Sequence, residues 1–204
     1  MLNRRVMLFV MTAGVCGVFP GAALAAEQSP RVTVEGFHAT LLSVMQNASA
    51  LAFSGRRDLI SPGVSATFDL EFICEVVAGR YWRAWDDRQR ERLLALFLEL
   101  TVAAYASRFD GYSGQEFKVS DVVPLKRERV LVRSSLTGPE GDDVKLDYVL
   151  HQNDNGWRVI NVVAEGVSEL SIKRAEYSEV LKTGGFEHLM RRLKEQTRTL
   201  AGAT

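Results

Sequence analysis

Cysteine is almost missing: the 204 residues hold only Cys16 and Cys74. Cys16 falls in an N-terminal leader, and Cys74 alone cannot form an internal disulfide, so a hydrophobic core has to hold the fold. Histidine is nearly as scarce. His38, His151 and His188 stand in no catalytic or zinc-ligand spacing. No G-x-S-x-G elbow, H-E-x-x-H pair, phosphate-cradling glycine loop or paired cysteines occur. These gaps argue against the common hydrolase, nucleotide-binding and metalloprotein classes, and neither cofactor nor metal is expected. Excess positive charge is lacking too. Lys+Arg and Asp+Glu both count 25, which leaves no basic footprint for a nucleic-acid partner.

Long apolar runs are confined to the start of the chain. Arg4 and Arg5 precede an apolar stretch from Val6 to Phe19, and Ala23-Leu24-Ala25 closes it. That pattern is a secretory signal peptide over residues 1–25 with cleavage after Ala25. The run is shorter than the roughly 20 residues a bilayer span needs. Val15 before Cys16, in place of a small residue, speaks against lipid anchoring there. Loss of Arg4 and Arg5 leaves a net charge of about −2. Residues 26–204 should form a single exported domain with a substantial core.

Hydrophobic periodicity then orders that domain. Val34, Phe37, Leu41, Val44, Met45 and Ala48 recur at helical spacing, and Ser54-Gly55 should break the helix. A short polar segment with Arg56, Arg57 and Asp58 leads to Pro62-Gly63, and a second helix is expected from Asp69 to Trp82. Asp86 followed by Gln89 reads as a capping box for a long third helix whose stripe is Leu93, Phe97, Leu100, Ala104 and Tyr105.

After Gly114 the period falls from about 3.6 to 2, so helix gives way to strand. Four strands are expected, with Val130, Val132, Ser134 and Leu136 on one face of the second. In the third, Val144, Leu146, Tyr148 and Leu150 face opposite Lys145, Asp147, Val149 and His151. Asn153-Asp154-Asn155-Gly156 is a strong hairpin signal. The fourth strand, Trp157 to Ala164, is apolar on both faces, with Trp157, Val159 and Val163 opposing Ile160 and Val162. It should be covered on both sides. Two helices close the chain, from Ser168 to about Lys182 and from Gly185 to about Leu200. Helices, an antiparallel meander and helices again make an α+β domain.

Chemistry is thin in this pattern. Asp147 and His151 share a strand face, but four residues of strand separate them by roughly 13 Å, too far for direct proton transfer. Cys74, among Phe72, Ile73, Val76 and Val77, reads as a buried apolar residue. The apolar supply facing one sheet is compatible with a filled core or with an emptied pocket, and periodicity does not separate the two.

Several segments in order carry a family resemblance. Phe68-Asp69-Leu70, Gly79-Arg80-Tyr81-Trp82, Gln89-Arg90, Phe97 and Tyr105 precede the meander. Gly156-Trp157-Arg158-Val159 then runs into Ala164-Glu165-Gly166-Val167-Ser168, a Lys173-Arg174 helix and Gly184-Gly185-Phe186. Together they resemble the MlaC, or toluene-tolerance, family of periplasmic lipid-binding proteins, with the hopanoid-associated HpnM branch as one possible subgroup.

The resemblance implies an antiparallel sheet of four to five strands covered by helices, similar to the nuclear transport factor 2 fold with added helices and enclosing an apolar pocket. It implies a phospholipid or hopanoid ligand, and the candidate residues to hold it are Phe72, Val76, Phe97, Tyr105 and Val132. Leu146, Tyr148, Trp157, Val163 and Ile172 complete that set, with Trp157 open between core and pocket. The implied partners are an inner-membrane ABC transporter complex carrying a lipid-binding ring and an outer-membrane lipoprotein complex. Arg80, Arg83, Lys173 and Arg174 are the docking candidates. An exported enzyme of the same fold and an interaction module with a filled core remain as alternatives.

Overall fold

The computed structural model describes residues 29–202, apart from Asp142. The leader and its cleavage after Ala25 lie outside the described residues. Helix α1 (Pro30–Gln46) starts where Ser29 accepts the Val32 amide, and Pro30 has no N–H to leave unsatisfied. Its expected stripe, Val34, Phe37, Leu41, Val44 and Met45, is buried throughout, and Ala48, also buried, lies just past the helix end.

The expected break at Ser54-Gly55 does not occur. Residues Phe53–Thr67 form helix α2, which contains both Gly55 and Pro62. What makes it helical is an inward face of Arg56, Ile60, Val64 and Thr67. The buried Arg56 guanidinium donates to the carbonyl oxygens of Ala106 at 2.9 Å and Leu51 at 3.0 Å. An arginine expected in a polar connecting segment is thus a bridge to the Ala106 carbonyl. Pro62 removes one helical hydrogen bond, and packing offsets that loss. Gly63 lets the helices approach, since a Cβ there would lie 2.9 Å from Thr40 Cγ2.

Asp69 caps helix α3 (Leu70–Ala78) through the Phe72 amide, and a 3₁₀ turn, Gly79–Ala84, follows. The expected capping box between Asp86 and Gln89 is present in both directions and opens helix α4 (Asp87–Arg108).

The meander comprises β1 (Glu116–Leu125), β2 (Arg129–Thr137), β3 (Asp143–Asn153) and β4 (Gly156–Ala164). A two-residue β5 (Val167–Ser168) completes an antiparallel sheet in the order β1-β2-β3-β4-β5. Helix α5 (Glu169–Gly202) is two helices joined across Gly185, whose φ of 67° and ψ of −167° only glycine tolerates readily.

The face assignment expected for β4 is wrong in one respect. Val159 pairs with Leu150, yet Asn161 pairs with Val149, so Ile160 is an extra residue. This bulge resets the alternation. Val162 stands opposite Tyr148, and Val163 stands opposite Asp147 on the other face.

Helices α1, α2, α3 and α5 pack onto β4, whereas α4 is held by α2, α3 and α5. Space is left between α4 and the sheet. Among the described residues no helix is long and apolar enough to cross a membrane.

Candidate functional site

That space is a cavity of about 780 Å³. Helix α4 contributes Phe97, Leu100, Ala104 and Tyr105; the sheet contributes Leu136, Leu146, Tyr148, Ile160, Val162 and Ala164. Tyr148 and Ile160, 1% and 2% exposed, mark its inner end. Arg108 and Arg192, with side chains 65% and 52% exposed, mark the mouth. The interior is therefore not a filled core.

Polarity changes along its depth. At the inner end, burial pushes the Tyr105 and Tyr148 hydroxyls far above the ordinary phenol range, so both stay neutral. Behind Tyr148, His38 Nε2 lies 3.2 Å from the Tyr148 hydroxyl, and the imidazole stacks on Phe117. Burial lowers its pKa to about 4, which leaves it uncharged at neutral pH. At the mouth, Arg108 and Glu169 form an ion pair at 3.6 Å, while Glu176 accepts from Gln196 at 2.7 Å. An apolar body with a charged mouth fits a ligand of the same polarity profile, one apolar part and one polar end.

Four of the ten expected pocket residues line this cavity: Phe97, Tyr105, Leu146 and Tyr148. The other six lie elsewhere. Val132 is fully buried in the main core. Val163 is turned to the opposite sheet face by the bulge, and Trp157 packs against the core. Phe72 leaves the pocket to contact His151 and the Arg129 guanidinium, and Val76 is half-buried on α3. Ile172 is 49% exposed. The four that do converge sit on faces that periodicity identified; Val132, Trp157 and Val163 were also placed on strand faces, but periodicity does not say which part of a face meets the void.

Of the docking candidates, Arg80, Arg83 and Arg174 are exposed. Lys173 is different, because its side chain lines the cavity. The Asp147–His151 pair does not form. Asp147 accepts the Ser134 amide, and His151 Nε2 instead lies 2.8 Å from Asp69 Oδ2. Burial alone would raise the Asp69 carboxyl, but bonds from the Phe72 amide, His151 and Asn153 hold it below the usual carboxylate range. Burial pushes the Cys74 thiol far above its ordinary value, so no thiolate forms there near neutral pH.

The mouth residues Arg108, Arg192 and Gln196 were not legible as a group. They come from the end of α4 and the second half of α5, brought together only by the turn at Gly185.

Fold and site define a binding protein with an interior apolar pocket. Residues 35–195 match the family model described as MlaC protein, and the chain belongs to that family. It is 24% identical over 177 residues to the intermembrane phospholipid transport system binding protein MlaC of Haemophilus influenzae, with 83% of each chain covered. Its fold is similar to that of a phospholipid-binding protein from Ralstonia solanacearum solved in complex with a phospholipid. That likeness has a TM-score of 0.73 at 21% identity, over 86% of this chain and 98% of the other.

Proposed function

We propose that this protein is an exported, periplasmic carrier that sequesters the acyl chains of a lipid and moves it between membrane complexes. The 780 Å³ apolar cavity is the observation that carries the reading. Its volume lies within the roughly 300–1,000 Å³ of ligand sites. An exposed methylene costs about 0.8 kcal/mol in water, so a chain of roughly fifteen costs on the order of 12 kcal/mol unless it is enclosed. A wall of Phe97, Leu100, Leu146, Ile160 and Val162 offsets that cost.

The same magnitude makes unaided release slow. Docking on a membrane complex has to open the cavity or present an equally apolar path. The proposed partners are an inner-membrane ABC transporter complex with a lipid-binding ring and an outer-membrane lipoprotein complex, with Arg80, Arg83 and Arg174 as docking residues.

Native mass spectrometry of the mature protein, followed by organic extraction, tests the carrier role. A stoichiometric acyl-chain or hopanoid adduct is expected. A protein without adduct that also takes none from phospholipid vesicles would refute the reading and favour an interaction module.

A further inference from the structure

Among the described residues, Tyr105 is the one uncharged polar side chain of the cavity wall whose polar group has no hydrogen-bond partner. The others are all engaged. The Thr101 hydroxyl donates to the Phe97 carbonyl at 2.8 Å, Tyr148 meets His38 at 3.2 Å, and Asn161 Oδ1 accepts from the Ser168 hydroxyl at 3.2 Å and the Leu170 amide at 3.1 Å. Gln196 donates to Glu176 at 2.7 Å, and Thr199 to the Glu195 carbonyl at 3.0 Å.

Tyr105 is not free to swing away towards a partner. Its ring lies edge to Phe37 at 5.1 Å, tilted against Phe68 at 5.9 Å and stacked with Phe109 at 5.9 Å. The hydroxyl faces the void, because the groups whose charge it senses, Arg108, Glu169 and the Tyr148 phenol, all line the same cavity. Burial keeps it neutral, so it offers one O–H donor, an acceptor oxygen and no charge.

The consequence comes when the cavity fills. Water satisfies a phenol hydroxyl in an open cavity. A plain hydrocarbon chain expels that water and supplies neither donor nor acceptor. An unpaired buried hydroxyl costs more than a paired one gains, which is how a polar group in an apolar pocket rejects a ligand lacking its complement. Helix α4 places Tyr105 one turn inside the mouth residue Arg108, roughly 4.5 Å along the axis, and helical side chains lean towards the N-terminus, away from that mouth. The complement therefore belongs on the apolar part of the ligand.

Resting on the carrier reading, we infer that Tyr105 hydrogen-bonds an oxygen carried within the acyl chain itself, a hydroxyl or keto group, and so makes the protein selective for oxygenated chains over plain chains of equal length.

Delipidated full-length mature protein is offered phosphatidylcholines in equimolar pairs, with bound lipid read by native mass spectrometry. The pairs are oleoyl against ricinoleoyl, its chain-hydroxylated form, and myristoyl against β-hydroxymyristoyl. At least one hydroxylated chain should be preferred roughly tenfold. Tyr105→Phe should raise plain-chain affinity about threefold and bring that preference to within about twofold. Tyr112→Phe, on an exposed ring outside the cavity, should keep it. A preference that survives in Y105F overturns the inference. So does weaker plain-chain binding in Y105F, which would mean that the ester beside the headgroup already pairs with Tyr105. Should Y105F fail to fold, the Tyr105 Cζ resonance of the wild-type protein decides: the hydroxylated chain should shift it well beyond the plain one, and equal shifts overturn the inference. Uptake of none of these lipids defeats the carrier reading itself, whereas equal uptake within both pairs defeats only the chain-oxygen assignment.

Discussion

His38 and Tyr148, 110 positions apart, meet at 3.2 Å and join α1 to the strand that forms the inner end of the cavity. The imidazole is 4% exposed and flanked by Phe117, so its charged form is penalised in the folded protein. Folding holds the pKa at about 4, against an ordinary histidine value of 6.5. The unfolded chain therefore binds more protons between these values. Stability from this group is complete above pH 6.5 and is lost as pH falls towards 4, by about 3 kcal/mol in all. In His38→Gln, which keeps a hydrogen-bonding group beside Tyr148, the slope of unfolding free energy over that pH window should flatten in urea titrations. An unchanged slope would rule His38 out as the source.

Asp69 ties two elements through one carboxylate, capping α3 while accepting from His151 at 2.8 Å and Asn153 at 2.9 Å on β3. Removing an N-cap costs about 1 kcal/mol, and losing charged hydrogen bonds adds to it. Asp69→Ala should lose roughly 2–4 kcal/mol in denaturant unfolding. His151→Gln should lose less, because the cap survives.

Ala104 faces the cavity from α4. Ala104→Trp should occupy the void, lowering phospholipid uptake at least roughly tenfold while leaving the melting temperature of the empty protein unchanged or higher. Val132→Ala makes the opposite case, since Val132 is fully buried outside the cavity. It should lose about 2 kcal/mol of stability with little change in uptake per folded molecule.

Gly185 separates the two halves of α5 at φ 67°, and the second half supplies Arg192 and Gln196 to the mouth. Gly185→Ala should destabilise by about 1–3 kcal/mol, from backbone strain alone. Circular dichroism melts check it, and an unaltered melt would mean that the turn relaxes without cost.

Arg80, Arg83 and Arg174 are exposed. Joint reversal to glutamate should slow lipid transfer to acceptor complexes and leave the lipid content of the purified protein unchanged. Transfer at the original rate would place docking on another surface.

Local rules determined much of this protein. The α1 stripe, the Asp86–Gln89 box, the hairpin at Asn153–Gly156 and the switch from helix to strand all rest on spacing and turn chemistry between near neighbours, which the chain states directly. Tertiary structure decided the rest. Helix α2 runs through Gly55 and Pro62 with Arg56, Ile60, Val64 and Thr67 buried, and Arg56 reaches the Ala106 carbonyl fifty positions away, a partner that no local pattern contains. The bulge at Ile160 exchanged Val163 for Val162 in the cavity wall, since a strand's alternation survives only as far as its register does. His151 found Asp69 and not Asp147. Whether Phe97, Tyr105, Leu146 and Tyr148 would fill a core or surround a void depended on how far α4 stands from the sheet. That separation is set by packing among α2, α3, α4 and α5, and periodicity reports which face is apolar without reporting what lies opposite it.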